Sequence, residues 1–181
     1  RKSWRGQTAA LRLSPKTRQE LATFRSAVLV GDAIDSGAGL SGGTVGTHVR
    51  HGDKYYEAPE YPFEDYWNIF QWLAGSPSAD FLKRCPSSPQ LVEPFRRLLP
   101  AIASKRLYVG TDDPKVQELA ISTASGWSLT YMNVTRVQKR MQLMDLRALL
   151  GAKEAVMESL LNLHLLLEAD ALICTWTSNW C

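Results

Sequence analysis

The sequence lacks three features that would each have indicated a specialised class of protein. It has no apolar run close to the roughly 20 residues that a membrane-spanning helix requires. Its net charge of +3, from 21 Lys and Arg against 18 Asp and Glu, is too small to indicate nucleic-acid binding. Its first residues are not expected to form a signal peptide. What is left is a globular sequence of 181 residues, 45% of them hydrophobic, which is long enough to bury a substantial core.

Cysteine is also scarce, with three residues in the chain. Cys174 and Cys181 flank one short loop, whereas Cys85 lies alone in a stretch rich in Pro and Ser. In an oxidising compartment Cys174 and Cys181 are expected to form a disulfide, and the alternative is a buried free thiol at Cys174. Asn133 begins an Asn-Val-Thr glycosylation sequon, a motif that also occurs often by chance.

Apolar periodicity predicts strands that alternate with helices. A helix is expected to begin at Pro15, after the capping residue Ser14, and to reach Val30. Residues 75–89 are expected to form a surface loop because they are rich in Pro and Ser. The other predicted helices span 62–73, 90–103, 115–124 and 152–168, and the predicted strands span 44–50, 105–111, 128–132 and 171–175. This alternation is typical of βαβ units and predicts an α/β fold with a parallel sheet.

Three of the predicted strands end in groups of polar residues, at 50–54, 111–113 and 175–179. Because the carboxyl ends of parallel strands share one edge of the sheet, we expect the three groups to face one crevice, where α/β proteins bind ligands. Cations, paired carboxylates and hydroxyl groups in one crevice predict a nucleotide or nucleotide-sugar site.

The first polar group contains the residues best suited to a diphosphate. The guanidinium of Arg50 can bind a pyrophosphate with two parallel hydrogen bonds, and Lys54 adds a point charge. Asp53 is close enough in sequence to orient either cation. At the start of a following helix, Ser178 would be placed to hold phosphate together with backbone N–H groups. The alternative is a plain salt bridge between Arg50 and Asp53 at the end of the strand.

Three motifs follow one another along the chain: His48-Val-Arg50-His51-Gly-Asp53-Lys54, Tyr108-Val-Gly-Thr111-Asp112-Asp113-Pro114, and the stretch from His164 to Ser178. In order and spacing they resemble the alpha-1,6-fucosyltransferase family. The resemblance implies the GDP-fucose-binding half of a two-domain GT-B glycosyltransferase, with a Rossmann-like parallel sheet. Residues 1–30 would be a lead-in helix from the preceding domain or interdomain region. Residues 31–181 would be the donor-binding domain, truncated at its C-terminus.

The resemblance also implies the reaction. Fucose would be transferred from GDP-fucose to a glycan that contains N-acetylglucosamine, in α-1,6 linkage, with inversion and without a metal or other cofactor. The acceptor would be a glycan or glycoprotein, and the parent protein would be anchored in the Golgi membrane by a segment outside this fragment. Inversion needs a base at the acceptor hydroxyl and a stabilised leaving group opposite it, which the cations after the first strand would supply.

Residue roles are implied at the matching positions. Glu57 would be the general base that deprotonates the acceptor hydroxyl, and Lys54 would assist it. The donor-binding residues would be His48 at the guanine, Arg50 and Ser178 at the pyrophosphate, and Tyr66, Asp112 and Asp113 around the donor pocket.

At two donor-binding positions the chain departs from the family's pattern. His51 stands where the family usually has a second arginine, which lowers the positive charge at the phosphate. Asn162 stands where the family has an aspartate that reads guanine, and Asn offers one acceptor and an NH2 group in place of two acceptors. Two alternatives therefore remain: a non-catalytic relative that binds a nucleotide sugar or has a structural role, and a GT-B transferase that uses another donor.

Overall fold

The computed structural model describes residues 13–31, 40, 42–49, 51, 60–76, 78–84, 104–134, 148 and 151–174. In chain order these residues form α1 (Pro15–Val28), β1 (Leu29–Gly31), β2 (Thr44–Val49), α2 (Phe63–Leu73), α3 (Ala79–Arg84), β3 (Arg106–Thr111), α4 (Pro114–Thr123), β4 (Ser128–Met132), α5 (Ala152–Glu168) and β5 (Ala171–Cys174). Within these ranges no helix is both long and apolar enough to cross a membrane.

Two of the helices begin with the same local arrangement. Ser14 accepts a hydrogen bond from the backbone N–H of Thr17 at 3.1 Å, and Pro15 is the first residue of α1. Asp113 likewise accepts from the N–H of Lys115 at 2.9 Å, before the proline that opens α4. Proline is favoured at a first helical position because its missing N–H would have no partner within the helix. Both predicted helix starts are confirmed.

The five strands form one sheet in the order β1-β4-β3-β2-β5. Strands β2 to β5 run parallel to one another, whereas β1 pairs antiparallel with β4. The prediction of a parallel sheet is therefore wrong at this edge, and so is the predicted extension of the first helix to Val30. Leu29–Gly31 form the edge strand instead. Three residues are too few to show a period of two, so the local pattern favoured the helix.

Helices cover both faces of the sheet. On one face, α2 and α4 pack against Val45, Val49, Leu107 and Val109. On the other face, α1 and α5 pack against side chains that include Tyr108. Because β2 lies between two strands and between two helical layers, all of its residues are buried.

The four parallel strands have the spatial order β4-β3-β2-β5, which is consistent with the 3-2-1-4 order of a Rossmann-like fold. The helices that follow β2 and β3 lie on one face, and α5, which precedes β5, lies on the other. The winding of the chain therefore reverses between β2 and β5. In open α/β sheets, ligands bind outside the carboxyl ends of the strands at this switch point.

Other predicted elements have mixed outcomes. The strands at 105–111, 128–132 and 171–175 and the helices at 62–73, 115–124 and 152–168 are confirmed to within a residue at each end. The predicted surface loop at 75–89 contains the short helix α3. The predicted helix at 90–103 lies outside the described residues, and the domain boundary at residue 30 stays a prediction.

Candidate functional site

The carboxyl ends of three parallel strands form a row at the switch point. His48 of β2 is the register partner of Gly110 of β3 on one side and of Cys174 of β5 on the other. His48 is buried, and strand alternation puts it on the face that α5 covers, with Gly46. The residue predicted to contact guanine thus lies in the row beside which α/β sheets bind ligands.

Asn162 of α5 lies directly over Gly110. A Cβ atom at Gly110 would overlap the Oδ1 atom of Asn162 and lie 3.0 Å from its Cγ atom. The Tyr108 hydroxyl donates a hydrogen bond to Oδ1 of Asn162 at 2.8 Å, and both residues are buried. Since Gly110 is the register partner of His48, the two residues predicted to read the base lie on the same face at the same level of the sheet. The amide oxygen of Asn162 is already engaged by Tyr108.

His51, just beyond β2, makes three hydrogen bonds at the same edge. Its backbone N–H donates to Oδ1 of Asp112 at 3.0 Å. Its Nδ1 atom lies 2.9 Å from Oδ2 of Asp113, and its Nε2 atom lies 2.8 Å from the carbonyl oxygen of Tyr61. The motif at the end of β2 and the motif at the end of β3 are thereby in direct contact.

Asp113 has two roles in this contact. One carboxylate oxygen caps α4, and the other faces the His51 ring. Its own N–H donates to the hydroxyl of Thr111, the last residue of β3, at 3.1 Å. Asp113 can therefore cap α4 and also have a place at the site, because its two carboxylate oxygens serve different partners.

Tyr66 lies in the first turn of α2 and is buried in the hydrophobic core with Val49, Phe63 and Phe70. That core covers the opposite face of the sheet from His48 and Asn162. In the structure Tyr66 is thus a core residue beneath the carboxyl edge, and its contact with the donor stays a prediction.

The remaining predicted site residues lie outside the described residues: Arg50, Asp53, Lys54, Glu57 and Ser178. Cys174 is disulfide-bonded, so the alternative of a free thiol at this position is wrong. Both other cysteines, Cys85 and Cys181, lie outside the described ranges, and the pairing with Cys181 stays a prediction. Within the described ranges, no group of three or more His, Cys, Asp or Glu residues is arranged to hold a metal ion.

A second polar cluster lies at the opposite end of the sheet, around Glu168 at the end of α5. Arg25 of α1 donates to both carboxylate oxygens of Glu168, at 2.7 and 2.8 Å. Nδ1 of His164 lies 2.9 Å from Oε1, and the N–H of Leu40 donates to Oε2 at 2.9 Å. Burial raises the pKa of Glu168, but the hydrogen bonds and the charge of Arg25 outweigh it and lower the pKa from 4.5 to about 2. The cluster fastens α1 to α5.

Two partners at the predicted site were not expected from the sequence. Tyr108 was part of a motif but had no assigned role, and Tyr61 contributes only its backbone carbonyl. A glycine inside a buried strand often marks a close approach by another part of the chain, and Gly110 is such a glycine. It could have indicated the contact with Asn162, whereas no sequence signal indicates a backbone carbonyl such as that of Tyr61.

Comparison with known proteins does not identify the family of this chain. No protein-family model and no curated protein matches the chain. What the structure establishes is an α/β domain with a mixed, mostly parallel sheet and polar residues that converge on its switch point.

Proposed function

We propose that this chain is the donor-binding domain of a glycosyltransferase similar to the alpha-1,6-fucosyltransferases. The enzyme transfers fucose from GDP-fucose to a glycan that contains N-acetylglucosamine, with inversion and without a metal. One observation carries the proposal: the strand ends that bear the three motifs are adjacent, with His48 between Gly110 and Cys174 at the switch point. In a Rossmann-like sheet, nucleotides bind at this switch point, outside the carboxyl ends of the strands.

In this proposal the donor lies across the carboxyl edge of β2 and β5. His48 and Asn162 contact the base from the α5 face, and Arg50 and Ser178 bind the diphosphate. Arg50 neutralises the charge that develops on the GDP leaving group, in place of a bridging metal. Asp112 and Asp113 shape the pocket from the β3 side.

The acceptor reacts from the opposite side of the sugar. Glu57 takes the proton from the acceptor hydroxyl while the hydroxyl oxygen attacks the anomeric carbon of fucose. Lys54 stabilises the Glu57 carboxylate. The carbon–oxygen bond to GDP breaks in the same step, so the configuration inverts. The proposed protein works in the Golgi lumen on glycoprotein glycans and is held there by an anchor outside this chain. The disulfide at Cys174 supports an oxidising compartment of this kind.

A second candidate is a GT-B transferase that uses a donor other than a guanine nucleotide. The contact of Tyr108 with Oδ1 of Asn162 favours it, since one of the two lone pairs of that oxygen is used and Asn162 then offers a ligand fewer acceptor positions than an aspartate. Guanine presents N–H donors along one edge, and a carboxylate would accept hydrogen bonds from them. In this candidate, Asn162→Asp raises GDP affinity about tenfold or more without changing UDP affinity, and the wild-type protein prefers UDP. Wild-type preference for GDP rejects it.

A transfer assay tests the leading proposal. The full-length protein containing this chain is given GDP-fucose and an N-glycan core acceptor in the presence of a chelator, and GDP release and glycan mass are followed. Transfer is expected without metal, and Glu57→Gln is expected to lower kcat about 10²- to 10⁴-fold while GDP still binds. Glu60→Gln, at an exposed carboxylate nearby in sequence, is the matched control and should retain activity. GDP binding without any transfer would favour the non-catalytic relative.

A further inference from the structure

The imidazole of His51 joins three segments of the chain at the edge of the proposed donor site. It connects the end of β2 to Asp113 at the start of α4 and to the carbonyl oxygen of Tyr61 just before α2, at 2.9 and 2.8 Å. The side chain is 10% exposed. Asp113 is itself fixed by its hydrogen bonds with Thr111 and Lys115.

Both ring nitrogens of His51 face oxygen atoms that accept hydrogen bonds. The Tyr61 carbonyl can only accept, so Nε2 carries a proton. The Nδ1 atom lies at hydrogen-bond distance from Oδ2 of Asp113, so both ring nitrogens are engaged. The side chain therefore has no nitrogen left with which to bind a phosphate unless one of these contacts breaks.

We infer that His51 is a positioning residue that acts through Asp113 and Tyr61, and does not itself bind the diphosphate. This inference rests on the proposed function. His51 and Tyr61 lie on either side of segment 52–59. The His51 ring fixes these two positions to each other and to Asp113 at the start of α4. Arg50 directly precedes His51 in the chain, so the orientation of the strand end that carries the proposed diphosphate ligand depends on these contacts. The role assigned from the sequence, a direct contact between His51 and the donor, is replaced by an indirect one.

A double-mutant cycle on GDP affinity separates the two roles. His51→Ala and Asp113→Ala are each expected to weaken GDP binding about tenfold or more, and the double variant is expected to be no worse than either single variant, because both remove one interaction. A direct contact between His51 and phosphate predicts additive losses in the double variant. Ser14→Ala removes a helix cap from α1 and is the control for the lost cap of α4, with unchanged affinity expected.

One conservative variant tests whether hydrogen-bond geometry is what matters. Arginine at position 51 can donate to both acceptors. His51→Arg is therefore expected to bind GDP within about threefold of the wild type. A loss in this variant as large as in His51→Ala would overturn the inference.

Hydrogen–deuterium exchange on the nucleotide-free protein tests the inference independently of the proposed function. His51→Ala is expected to speed amide exchange about tenfold or more in peptides that cover residues 51 and 60–66, but not in α5. Unchanged exchange there would show that His51 does not hold these segments. If the wild type binds no nucleotide, the proposed function and the link to binding both fail, whereas the exchange result still decides whether His51 fastens the chain.

Discussion

His48 of β2 and Cys174 of β5 lie opposite each other on neighbouring parallel strands, at the point where the winding of the sheet reverses. One is the residue predicted to contact the base, and the other is disulfide-bonded. The chain that leaves β5 at this row is where Ser178 is predicted to bind phosphate. A covalent link at Cys174 therefore constrains the end of β5. The proposed function needs this end to be ordered, because Ser178 follows it in the chain.

The pairing of Cys174 can be tested by peptide mapping. We expect a digest prepared without reductant to contain a peptide that links Cys174 to Cys181, and Cys85 to react with an alkylating agent. Closing so short a loop is expected to stabilise the fold by about 2 kcal/mol, so replacing both paired cysteines by Ser should lower the unfolding free energy by that amount. Cys85→Ser is the control. A linkage between Cys174 and Cys85 would contradict the predicted pairing.

Alanine at Gly110 should displace Asn162. The new Cβ atom would overlap the Asn162 amide, so we expect Gly110→Ala to cost about 1–3 kcal/mol of stability and to weaken nucleotide binding about tenfold. Gly46→Ala is the matched control, because its Cβ atom would crowd Ala169 at 3.0 Å and Leu166 at 3.4 Å on the same face. Denaturant unfolding and GDP titration of both variants give the comparison. Equal losses of affinity would show that Asn162 has no special place in the site.

The Glu168 cluster predicts a loss of stability in acid. Because the folded pKa of about 2 lies below the ordinary value of 4.5, ionised Glu168 stabilises the fold above pH 4.5, and the contribution is lost as the pH falls towards 2. Glu168→Gln should therefore lower the unfolding free energy by about 2–3 kcal/mol at pH 7, roughly half as much at pH 3, and very little at pH 2.

Urea unfolding at the three pH values measures this dependence. Glu20→Gln, which breaks the exposed ion pair with Lys153, is the control and should change stability by less than about 1 kcal/mol at every pH. An effect of Glu168→Gln that stays the same from pH 7 to pH 2 would mean that its charge is not what holds α1 to α5.

The sequence was sufficient for the parts of the fold that local patterns determine. Buried strands such as β3 and helices with clear caps such as α4 appear in the pattern of apolar residues and in Asp113-Pro114. The antiparallel pairing of Leu29 with Met132 could not be predicted, because it depends on residues that are distant in the chain. The same holds for the ion pair between Arg25 and Glu168, which are 143 residues apart.

The candidate site, like the fold, could be predicted from the sequence only in part. That the strand ends meet follows from the parallel order of β2, β3 and β5, which the alternation of helices and strands predicts. Which atoms meet there does not follow from it. The contacts of Asn162 with Tyr108 and of His51 with Asp113 depend on how α5 and α4 pack on the sheet, and they change which groups remain available to a ligand.

Calorimetric titration with GDP and with UDP, in the absence of metal, tests the central claim most directly. Wild type and Arg50→Ala are compared, with Arg18→Ala on the exposed side of α1 as the control. The account predicts that GDP binds more tightly than UDP, that Arg50→Ala loses about 2 kcal/mol or more of this binding, and that Arg18→Ala loses none. If neither nucleotide binds the wild-type protein, the carboxyl edge of β2 and β5 is not a nucleotide-sugar site and the glycosyltransferase proposal is wrong.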